Sequence, residues 1–287
     1  MAKCVLCNKK GFFLKVNSNG MCIECEKKQL ELQRQLEEKR KAEEIRQKRE
    51  EYIRNKKEQL KSTIRSLPKH CITLSEEKRK RRTGYEEIPF SNITPKGKYS
   101  EFVVFDTETT GLAPSKDRII ELAAIRFVDG QPVEWFETLV NPEKEIPAEA
   151  TAVNGITNEM VVDAPTISQV LPSFEEFVGS SSLVAHNLEF DLKFLFYSGS
   201  VITDSKRKYY DTLEQAKKLL KKPKMKYDKE YDMYDVDYES EYDVEDYKLE
   251  TLCDYYMITI PEQHRAYADA FATGILFGSL IEEKQNG

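Results

Sequence analysis

The sequence predicts an α/β domain, in which a mixed β-sheet is flanked by helices, preceded by a small cysteine-rich module and a long charged helix. Three observations carry this prediction. From residue 101 onward, apolar strand patterns follow one another and then alternate with helical patterns, as in mixed sheets. Residues 26–66 contain neither Gly nor Pro, and four of the six cysteines lie within the first 25 residues. A chain of 287 residues has room for one large domain or two modest ones.

The apolar segments after residue 100 define the strands and helices of the main domain. Three strands come first, separated by few residues, and this spacing favours antiparallel neighbours. These strands are predicted at Phe102–Phe105, Ile119–Val128 and Val133–Val140. Helical and strand patterns then alternate, and the last helix has an apolar face. The later elements are predicted as a helix at Thr166–Val178, a strand at Leu183–His186, a helix from Leu188 and a helix at Ala266–Ile281.

The N-terminal cysteines form two C-x2-C pairs, Cys4 with Cys7 and Cys22 with Cys25. Each pair closes a tight turn around one side of a tetrahedral ion, and four thiolates satisfy Zn²⁺ without an open position. We therefore predict a structural Cys4 zinc ribbon over residues 1–25, with a short hairpin in the segment GFFLKV. Two disulfide bonds are the alternative. The first ten residues lack the apolar core of a signal peptide, which favours reduced thiols and a cytoplasmic location.

Residues 26–67 are dominated by Glu, Lys, Arg, Gln and Leu, which are strong helix formers. An apolar stripe runs along this segment, but charged residues occupy its central positions. The stripe comprises Leu32, Leu36, Ile53, Leu60, Ile64 and Leu67, interrupted by Lys39, Glu43, Arg46 and Glu50. Because the core positions of a coiled coil require apolar residues, we predict a solvated helical spacer. The alternative is a weak coiled coil, with self-association or a protein partner bound through this helix.

Residues 68–99 contain three prolines, two glycines and the basic run KRKRR at 78–82, which is typical of a linker. The charge of the chain changes sign near this point. Residues 1–100 have 26 basic and 14 acidic side chains, a balance of +12, whereas residues 101–287 have 18 and 36, a balance of −18. A basic segment beside an acidic domain is suited to contact phosphates. We also expect a fragment that begins near residue 95 to fold on its own.

The stretch Tyr227–Tyr247 is an acidic, tyrosine-rich anomaly with ten acidic residues, six tyrosines and one lysine. It has no apolar period, so we predict an exposed insertion rather than core structure. The preceding stretch Lys206–Lys226 contains nine basic residues. One hypothesis is that the insertion competes with nucleic acid for this basic stretch, and the alternative is a solvated loop.

Carboxylates follow the first predicted strand at Asp106 and Glu108. Side chains two residues apart on a strand point to the same face, so both carboxylates project together. Such a pair at the end of a buried apolar strand is unfavourable unless a cation compensates it. Two further segments with acids, HNLEFD (186–191) and HRAYAD (264–269), lie at the starts of predicted helices.

These segments, in the order DTETTG (106–111), HNLEFD and HRAYAD, resemble the three motifs of the DnaQ-like 3′→5′ exonucleases of the DEDDh type. The resemblance spans about residues 100–283 except for the insertion. Residues 210–212 and 249–252 are also similar to connecting segments of that family. The resemblance implies a ribonuclease H-like mixed five-stranded sheet flanked by helices, and an enzyme that hydrolyses phosphodiester bonds at nucleic acid 3′ ends.

The resemblance also implies a set of catalytic residues. The four metal-binding acids of the family correspond to Asp106, Glu108, Asp191 and Asp269, and its general base corresponds to His264. Oxygen ligands suit Mg²⁺ or Mn²⁺, and two such ions stabilise the attacking and leaving oxygens of a phosphoryl displacement. By resemblance, Asp106 bridges both ions, Glu108 and Asp269 complete the nucleophile-side site, and Asp191 serves the other. A histidine pKa near 6.5 fits a base that takes a proton from water.

Candidate substrate contacts lie beside these residues. Leu112 and Phe190 are placed to stack against terminal bases, although both are equally expected as core residues. Thr109, His186 and Asn187 lie within the motifs, and His186 is also expected to orient the turn from strand to helix.

The sequence therefore predicts a metal-dependent 3′→5′ exonuclease that acts on single-stranded or frayed 3′ ends, with DNA favoured over RNA. An RNA or oligonucleotide exonuclease is the alternative within this class. A zinc-ribbon adaptor for nucleic acid or protein is the alternative outside it. No membrane partner is expected, because no stretch approaches the roughly 18 apolar residues of a membrane span. One departure from the family is VNGIT (153–157), where many relatives carry His-Gly-Ile-Thr, and it concerns the contact with the terminal nucleotide.

Overall fold

The computed structural model describes residues 1–92, 101–204, 206–228, 233–237 and 240–286. The chain divides into two compact units, residues 1–56 and residues 57–287. Residues 93–99 of the predicted linker, and residues 229–232 and 238–239 of the predicted insertion, lie outside the described residues. Among the helices that the structure describes, none has an apolar stretch long enough to cross a membrane.

The first unit begins with two very short strands. Strand β1 (Ala2–Lys3) pairs antiparallel with β2 (Lys10–Gly11). The expected hairpin within GFFLKV is not formed, because the turn after Cys4 returns the chain at Lys9, whose carbonyl accepts the Cys4 N–H at 2.9 Å. Gly11 therefore pairs with Ala2, and the aromatic residues after it lie in an exposed turn.

A single helix, α1 (Ile23–Ser66), follows the cysteine module. The side chains of residues 26–55 are all exposed, and ion pairs between residues three or four apart link its charged side chains. The apolar stripe predicted for this helix is exposed in one part and buried in another. Leu32 and Leu36 are exposed, whereas Ile64 is buried in the core of the second unit and Leu60 and Leu67 pack against it. The last turns of the helix are thus part of the main domain.

A five-stranded mixed sheet forms the centre of the second unit, in agreement with the predicted fold class. Its strands are β3 (Glu101–Thr109), β4 (Ile119–Val128), β5 (Gln131–Leu139), β6 (Ser182–Ala185) and β7 (Tyr209–Asp211). Their order across the sheet is β5-β4-β3-β6-β7. Strand β3 is antiparallel to β4 and parallel to β6, and β6 is parallel to β7. Strand β7 was not predicted, because three residues give too short a pattern.

Helices cover both faces of this sheet. They are α2 (Ala148–Asn154), α3 (Asn158–Val161), α4 (Ile167–Val178), α5 (Leu188–Tyr197), α6 (Thr212–Leu219), α7 (Leu249–Tyr255) and α8 (Ala266–Asn286), with a 3₁₀ turn at Ile202–Asp204. Alternate residues of β3 belong to different cores. Phe102 and Val104 pack with α8, whereas Val103 and Phe105 pack with α4 and α5. Gly274 lets α8 approach the sheet closely, since a Cβ atom there would collide with the ring of Phe127.

The segment predicted as a linker is packed along the second unit from residue 67 to residue 91, and we call it the strap. At one sheet edge, Lys69 forms a parallel bridge with Trp135 of β5. At the other edge, the Ser91 N–H donates to the Tyr209 carbonyl of β7 at 2.6 Å. Four apolar strap residues pack against the core on the α4 and α5 side, namely Ile72, Tyr85, Ile88 and Phe90. Because the unpaired backbone of an edge strand needs partners, the strap protects both edges of the sheet.

Some side chains of the basic run in the strap pair with carboxylates of the second unit, and the others are exposed. The Arg79 guanidinium pairs with the Glu175 carboxylate at 3.0 Å, and both side chains are about 15% exposed. Arg82 pairs with Asp204 at 2.9 Å. Lys78, Lys80 and Arg81 are exposed. Two of the five basic residues are thus occupied by carboxylates of the same unit.

The described part of the acidic insertion contains an exposed two-stranded ribbon. Strand β8 (Lys224–Asp228) pairs antiparallel with β9 (Met233–Asp237). Lys224 faces Asp237 and Lys226 faces Asp235 in the register, so basic and acidic residues oppose each other on one face. The insertion closes at its base, where the Lys221 N–H donates to the Asp243 carboxylate at 2.7 Å.

We predict that a fragment of residues 57–287 folds cooperatively. A fragment beginning at residue 95, which the sequence led us to expect to fold on its own, should instead be strongly destabilised, because residues 67–91 pack on the second unit. The shorter fragment loses the strap and leaves the largely buried Glu175 carboxylate without its guanidinium, a change that costs about 3–5 kcal/mol in comparable buried pairs. For a domain of this size, that loss corresponds to a fall in Tm of roughly 10 °C. Thermal unfolding followed by circular dichroism measures the difference, and equal Tm values for the two fragments would contradict it.

A pair of point variants isolates the ion pair from the rest of the strap. Arg79→Met should lower the Tm of residues 57–287 by several degrees, because it leaves the Glu175 carboxylate unpaired. Lys78→Met is the matched control, since its side chain is exposed and lies in the same basic run. An equal effect of both variants would show that general charge, rather than the pair, holds the strap.

Candidate active site

Because side chains alternate between the two faces along β3, its two acids lie on the same face of the sheet. Asp106 and Glu108 continue the positions of Phe102 and Val104, which face α8, and Asp269 lies in the first turn of that helix. Carboxylate oxygens of Asp106, Glu108 and Asp269 all lie within 4.8 Å of one another. The structure therefore brings together these three candidate residues, which come from the first and third motifs.

Asp191 occupies the other side of the same strand end. It lies in the first turn of α5 and is buried. Its Oδ1 accepts a hydrogen bond from the Thr107 backbone N–H at 3.1 Å and another from the Thr107 hydroxyl at 2.6 Å. Thr107 points away from Asp106 and Glu108 because the strand alternates. Asp191 is not a member of the three-residue cluster, but its charge contributes to raising the pKa of the adjacent Asp106.

A buried ion pair holds the start of α8 against the sheet. Glu121 is fully buried in β4, directly opposite Glu108 in the register. The Arg265 guanidinium donates to it at 2.5 and 3.1 Å, and the backbone N–H of Ala266 donates at 2.9 Å. Glu121 thus fixes the first residue of α8 and, through it, the position of Asp269. This pair was not predicted from the sequence, although an acid inside the apolar run IIELAAIRFV was the available signal.

Burial and mutual repulsion raise the pKa values of the clustered acids. Burial raises the pKa of Glu108 to about 8, with added repulsion from Asp269 and Glu121. The pKa of Asp269 is raised to about 7 by burial and by Glu250, and that of Asp191 to about 7 by burial. The pKa of Asp106 is raised well above its usual value by burial and by the neighbouring Asp191 and Asp269. Such a cluster favours a bound cation or bound protons.

His264 lies beside the cluster in a left-handed conformation. Its φ is 55°, and its Nε2 is 3.5 Å from a carboxylate oxygen of Glu250, with both side chains about half exposed. Together with Asp269 and Asn187, it lines an open cleft of about 960 Å³. A positive φ in a non-glycine residue is uncommon and is found preferentially at functional sites. The imidazole is therefore accessible from the cleft and close to the acids.

The two other candidate contacts of the second motif have different environments. Both ring nitrogens of His186 are engaged inside the protein, Nδ1 with the Thr212 hydroxyl at 2.9 Å and Nε2 with the Tyr247 carbonyl at 3.0 Å. Burial lowers the pKa of His186 to about 4, so the ring is neutral and Nε2–H donates to the carbonyl. Asn187 is exposed with a φ of 64°. These contacts favour the orienting role that the sequence suggested for His186.

The candidate contacts near the first motif include one exposed and one half-buried side chain. Leu112 is 84% exposed at the tip of the loop after β3. Thr109 is half-buried, and its hydroxyl donates to the Gly111 carbonyl at 2.7 Å. Phe190 is half-buried against the α4 and α5 core, with its ring 4.9 Å from that of Phe194. The Leu112 side chain is thus accessible to a ligand, whereas the Phe190 ring packs in part against the core.

Asn154 is a residue of the site that was not predicted from the sequence. It is buried at the end of α2, within the segment VNGIT that departs from the family pattern. Its side chain lies close enough to the Glu108 carboxylate to lower the pKa of that group against the effect of burial, and its Oδ1 accepts the Ile156 N–H at 3.0 Å. The departure therefore concerns a neighbour of a catalytic acid as well as the cleft that Val153 lines.

Two arginines adjoin each other at the loop that follows the first motif. Arg118 is hydrogen-bonded to Thr110 through its backbone, while Arg81 of the strap donates to the Pro114 carbonyl at 2.7 Å. Burial and the nearby Arg118 charge lower the pKa of Arg81. Among the described residues, no ion pair joins either guanidinium to a carboxylate. This leaves two cationic groups unneutralised near the exposed Leu112.

The four N-terminal cysteines converge in the first unit. Their Sγ atoms all lie within 4.8 Å of one another, and Cys4 and Cys22 are buried. The Cys22 backbone N–H points at the Cys4 sulfur at 3.3 Å, and backbone hydrogen bonds from Cys7 and Cys22 lower the pKa of Cys4 to about 6. Free thiols gathered in this way, with one stabilised as a thiolate, fit a metal ion.

Sequence comparison assigns the chain to a family of nucleases. Residues 103–277, more than half of the chain, match the family model described as exonuclease of the RNase T type. The chain therefore belongs to this exonuclease family, and the predicted family and hydrolytic class are confirmed. Together with the order of the strands, the match also confirms the predicted ribonuclease H-like fold.

The relatives of this chain include much longer proteins. Over 186 residues it is 37% identical to the DNA polymerase III PolC-type of Caldanaerobacter subterraneus subsp. tengcongensis, a match that covers 64% of this chain and 12% of that protein. Over 112 residues it is 51% identical to a DNA polymerase III subunit epsilon-like protein of Rhodobacter capsulatus, covering 38% of this chain and 15% of that protein. The chain thus spans only a small part of the length of these relatives.

Solved structures with a similar arrangement include two exonucleases. Exonuclease X in complex with 5′ overhanging duplex DNA has 26% sequence identity and a TM-score of 0.46, over 63% of this chain and 91% of that chain. Exonuclease I from Methylocaldum szegediense has 20% identity and a TM-score of 0.48, over 65% of this chain and 41% of that chain.

The raised pKa values predict how the stability of the metal-free protein depends on pH. A carboxyl group with a raised pKa binds more protons in the folded state, so the free energy of unfolding falls as pH rises through the window between the two values. With Asp191 and Asp269 at about 7 and Glu108 at about 8, this window runs from roughly pH 4 to 8. We expect the Tm to fall across it, and Mg²⁺ to raise the Tm more at the upper end.

A variant of the acid cluster shows how much of the pH dependence of Tm comes from the cluster and how much from other titrating groups. Asp106→Asn removes one charge from the cluster, so its metal-free Tm should fall less with pH and should respond less to Mg²⁺. Asp163→Asn, an exposed acid, is the matched control and should behave like the unmodified protein. The interpretation would be wrong if the unmodified and Asp106→Asn proteins showed the same pH dependence in calorimetry.

Proposed function

We propose that the protein is a divalent-metal-dependent 3′→5′ exonuclease that removes nucleotides from the ends of DNA. The observation that carries this proposal is the convergence of carboxylates from β3 and α8, with Asp191 beside them, next to an open cleft that Asp269 lines. Acids in this number are suited to Mg²⁺ or Mn²⁺, whose preferred ligands are oxygens. Membership of the exonuclease family supports the same chemistry.

Each acid has a distinct part in this proposal. Asp106, Glu108 and Asp269 would hold one ion, while Asp106 and Asp191 would hold a second. Two such ions supply charge stabilisation for the attacking and leaving oxygens of the phosphodiester. Thr107 would keep the Asp191 carboxylate oriented through its two hydrogen bonds.

The remaining cleft residues would position the substrate and move a proton. The His264 ring is accessible from the cleft, and its imidazole would take a proton from the attacking water. Leu112, exposed in the loop that follows β3, would contact the terminal base. Arg81 and Arg118 would meet the phosphates of the strand near that loop. Two groups that carry no partner carboxylate are suited to this contact, since nucleic acid supplies the missing charge.

The choice of DNA rests on the relatives of the chain. Both relatives described above are named for DNA polymerase III, of which this chain matches only a part. Arrangements of this kind are shared by exonucleases of DNA, RNA and short oligonucleotides, so those substrates are the competing outcomes of the assay. A cytoplasmic location and self-association through α1 stay predictions.

The test is hydrolysis of end-labelled single-stranded DNA and RNA of equal sequence. We expect products one nucleotide shorter to accumulate from the 3′ end, only with Mg²⁺ or Mn²⁺, and faster with DNA. Asp106→Ala should abolish hydrolysis, and His264→Ala should reduce kcat by about 10²–10⁴, as loss of a general base does. The loss for His264→Ala should diminish as pH rises, because hydroxide then replaces the missing base.

Asp163→Ala is the matched control for these variants, since its carboxylate is exposed and lies on the surface of the same domain. Hydrolysis in excess EDTA, or by Asp106→Ala, would contradict the metal assignment. Faster hydrolysis of RNA would reassign the substrate. Binding without hydrolysis of either label would favour the adaptor alternative.

We further propose that the cysteine cluster of the first unit binds one structural Zn²⁺. Four thiolates within reach of one another, with no fifth position required, suit a tetrahedral ion and leave no site for a substrate. The ion would replace the apolar core that this unit lacks, because only Cys4 and Cys22 are buried among residues 1–56. Its free energy of binding would therefore be free energy of folding.

Metal analysis of the full-length protein should find about one zinc per chain. Cys4→Ser should lose the zinc and the structure of the first unit, while the Tm of the second unit stays unchanged. Cys71→Ser is the control, since Cys71 is an exposed cysteine outside the cluster. Reduced protein without zinc would contradict the assignment, and so would zinc retained by Cys4→Ser.

A further inference from the structure

The first unit exposes two adjacent phenyl rings in the turn after β2. Phe12 is 81% exposed and Phe13 is 99% exposed. They make no part of a core, since the only buried side chains of residues 1–56 are those of Cys4 and Cys22. Exposed large apolar groups placed together mark surfaces that bind something. A second observation is needed to say what these rings bind.

That observation is the positive charge gathered beside them. Lys3 and Lys10 are direct cross-strand partners in the β1–β2 ladder, and like charges in this position are destabilising. Residues 1–25 contain four lysines and one acid, Glu24, which is already paired with Lys9 at 2.8 Å. No ion pair joins Lys3, Lys10 or Lys15 to a carboxylate in the parts of the chain that the structure describes.

A ligand that carries anionic groups beside flat unsaturated rings would bind both the unpaired lysines and the exposed phenyl rings. Single-stranded nucleic acid offers phosphates that neutralise the lysines and unpaired base faces that stack on the phenyl rings. A duplex offers the phosphates but hides its base faces. An apolar protein surface would cover the rings but leave the repulsion between Lys3 and Lys10 uncompensated. Stacking on an aromatic ring does not depend strongly on base identity, so little sequence preference is expected.

We propose that Phe12 and Phe13, with Lys3, Lys10 and Lys15, form a binding surface for single-stranded nucleic acid, separate from the catalytic cleft. The surface would supply affinity that the main domain lacks, because residues 101–287 carry a net charge of −18. Residues 1–25 carry +3. This surface needs no hydrolysis to be detected, so its test is independent of the proposed enzymatic activity.

The experiment measures Kd by fluorescence anisotropy for a labelled single-stranded DNA of about 30 nucleotides at several salt concentrations. The full-length chain carries Asp106→Ala throughout, which prevents degradation. Phe12→Ala with Phe13→Ala should raise Kd by about tenfold or more and leave the salt slope unchanged, because stacking releases no counterions. Lys3→Gln with Lys10→Gln should lower the slope by about 1.4, since each phosphate contact on a single strand contributes about 0.7.

Matched controls exclude general effects of exposed apolar or basic residues. Leu30→Ala with Leu32→Ala removes two exposed leucines from α1 and should leave Kd unchanged. Lys9→Gln removes the lysine already paired with Glu24 and should change the slope less than Lys10→Gln. Phe12→Trp with Phe13→Trp retains the stacking and should retain the affinity. Blunt duplex DNA should bind the phenylalanine variants and the parent equally well.

Three results would overturn the proposal. One is an unchanged Kd for the double alanine variant when that variant retains one zinc per chain. This result would favour a protein, instead of nucleic acid, as the partner that binds the phenyl rings. Another is an equal loss of affinity in the leucine control. The third is a salt slope that does not respond to Lys3→Gln with Lys10→Gln. If the alanine variant loses its zinc, the tryptophan and lysine variants decide the outcome, since they keep the aromatic turn.

Discussion

Mutual repulsion among carboxylates at the end of the central strand is the constraint on which the rest of the second unit depends. Asp106, Glu108 and Asp269 lie within 4.8 Å of one another, and the buried Asp191 and Glu121 are their neighbours. Without a cation, such a group binds protons at pH values where isolated carboxyls are ionised, as the raised pKa values show. The surrounding fold must therefore hold the acids together before any ion neutralises them.

Two sets of contacts do this by fixing the helices that carry the acids. The Glu121–Arg265 pair and the Ala266 N–H fix the first turn of α8, and the close approach at Gly274 keeps its axis against β4. Breaking a buried pair of this kind costs several kcal/mol, because the remaining charge stays unpaired. On the other side, Thr107 binds Asp191. Rigid elements that hold a site before its ligand arrives reduce the reorganisation required for catalysis.

The fold and the acids could be predicted from local patterns, whereas the strap and the ion pairs could not. Strand β4 has the predicted bounds, and the alternation of β3 correctly placed Asp106 and Glu108 on one face. The strap contains prolines and a basic run, which are signals of a linker. It is nevertheless packed, because its apolar residues, such as Ile72 and Phe90, contact parts of the chain about a hundred residues away. Contacts at that separation leave no periodic signal in the segment itself.

The same argument applies to the arginines of the basic run. Arg79 and Lys78 are neighbours of the same charge in the sequence, but only Arg79 meets a largely buried carboxylate, that of Glu175. The pairing is decided by where Glu175 lies on α4, and composition does not contain that information. Net charge therefore overstates how many cations of a segment are available to a polyanion. In this chain the available ones are those without carboxylate partners.

The charge asymmetry of the chain bears on function only through the cations that have no carboxylate partner. Ion pairs along α1 join basic residues to acids that are already counted in the balance of +12 for residues 1–100, so they leave this excess unchanged. Arg79 and Arg82 reduce it, because they pair with carboxylates of the second unit. Cations without a carboxylate partner include two close pairs, Arg81 with Arg118 at the loop after β3 and Lys3 with Lys10 across β1 and β2. Each consists of like charges held close together by backbone contacts. That arrangement is unfavourable in isolation, and a bound anion such as a phosphate group relieves the repulsion.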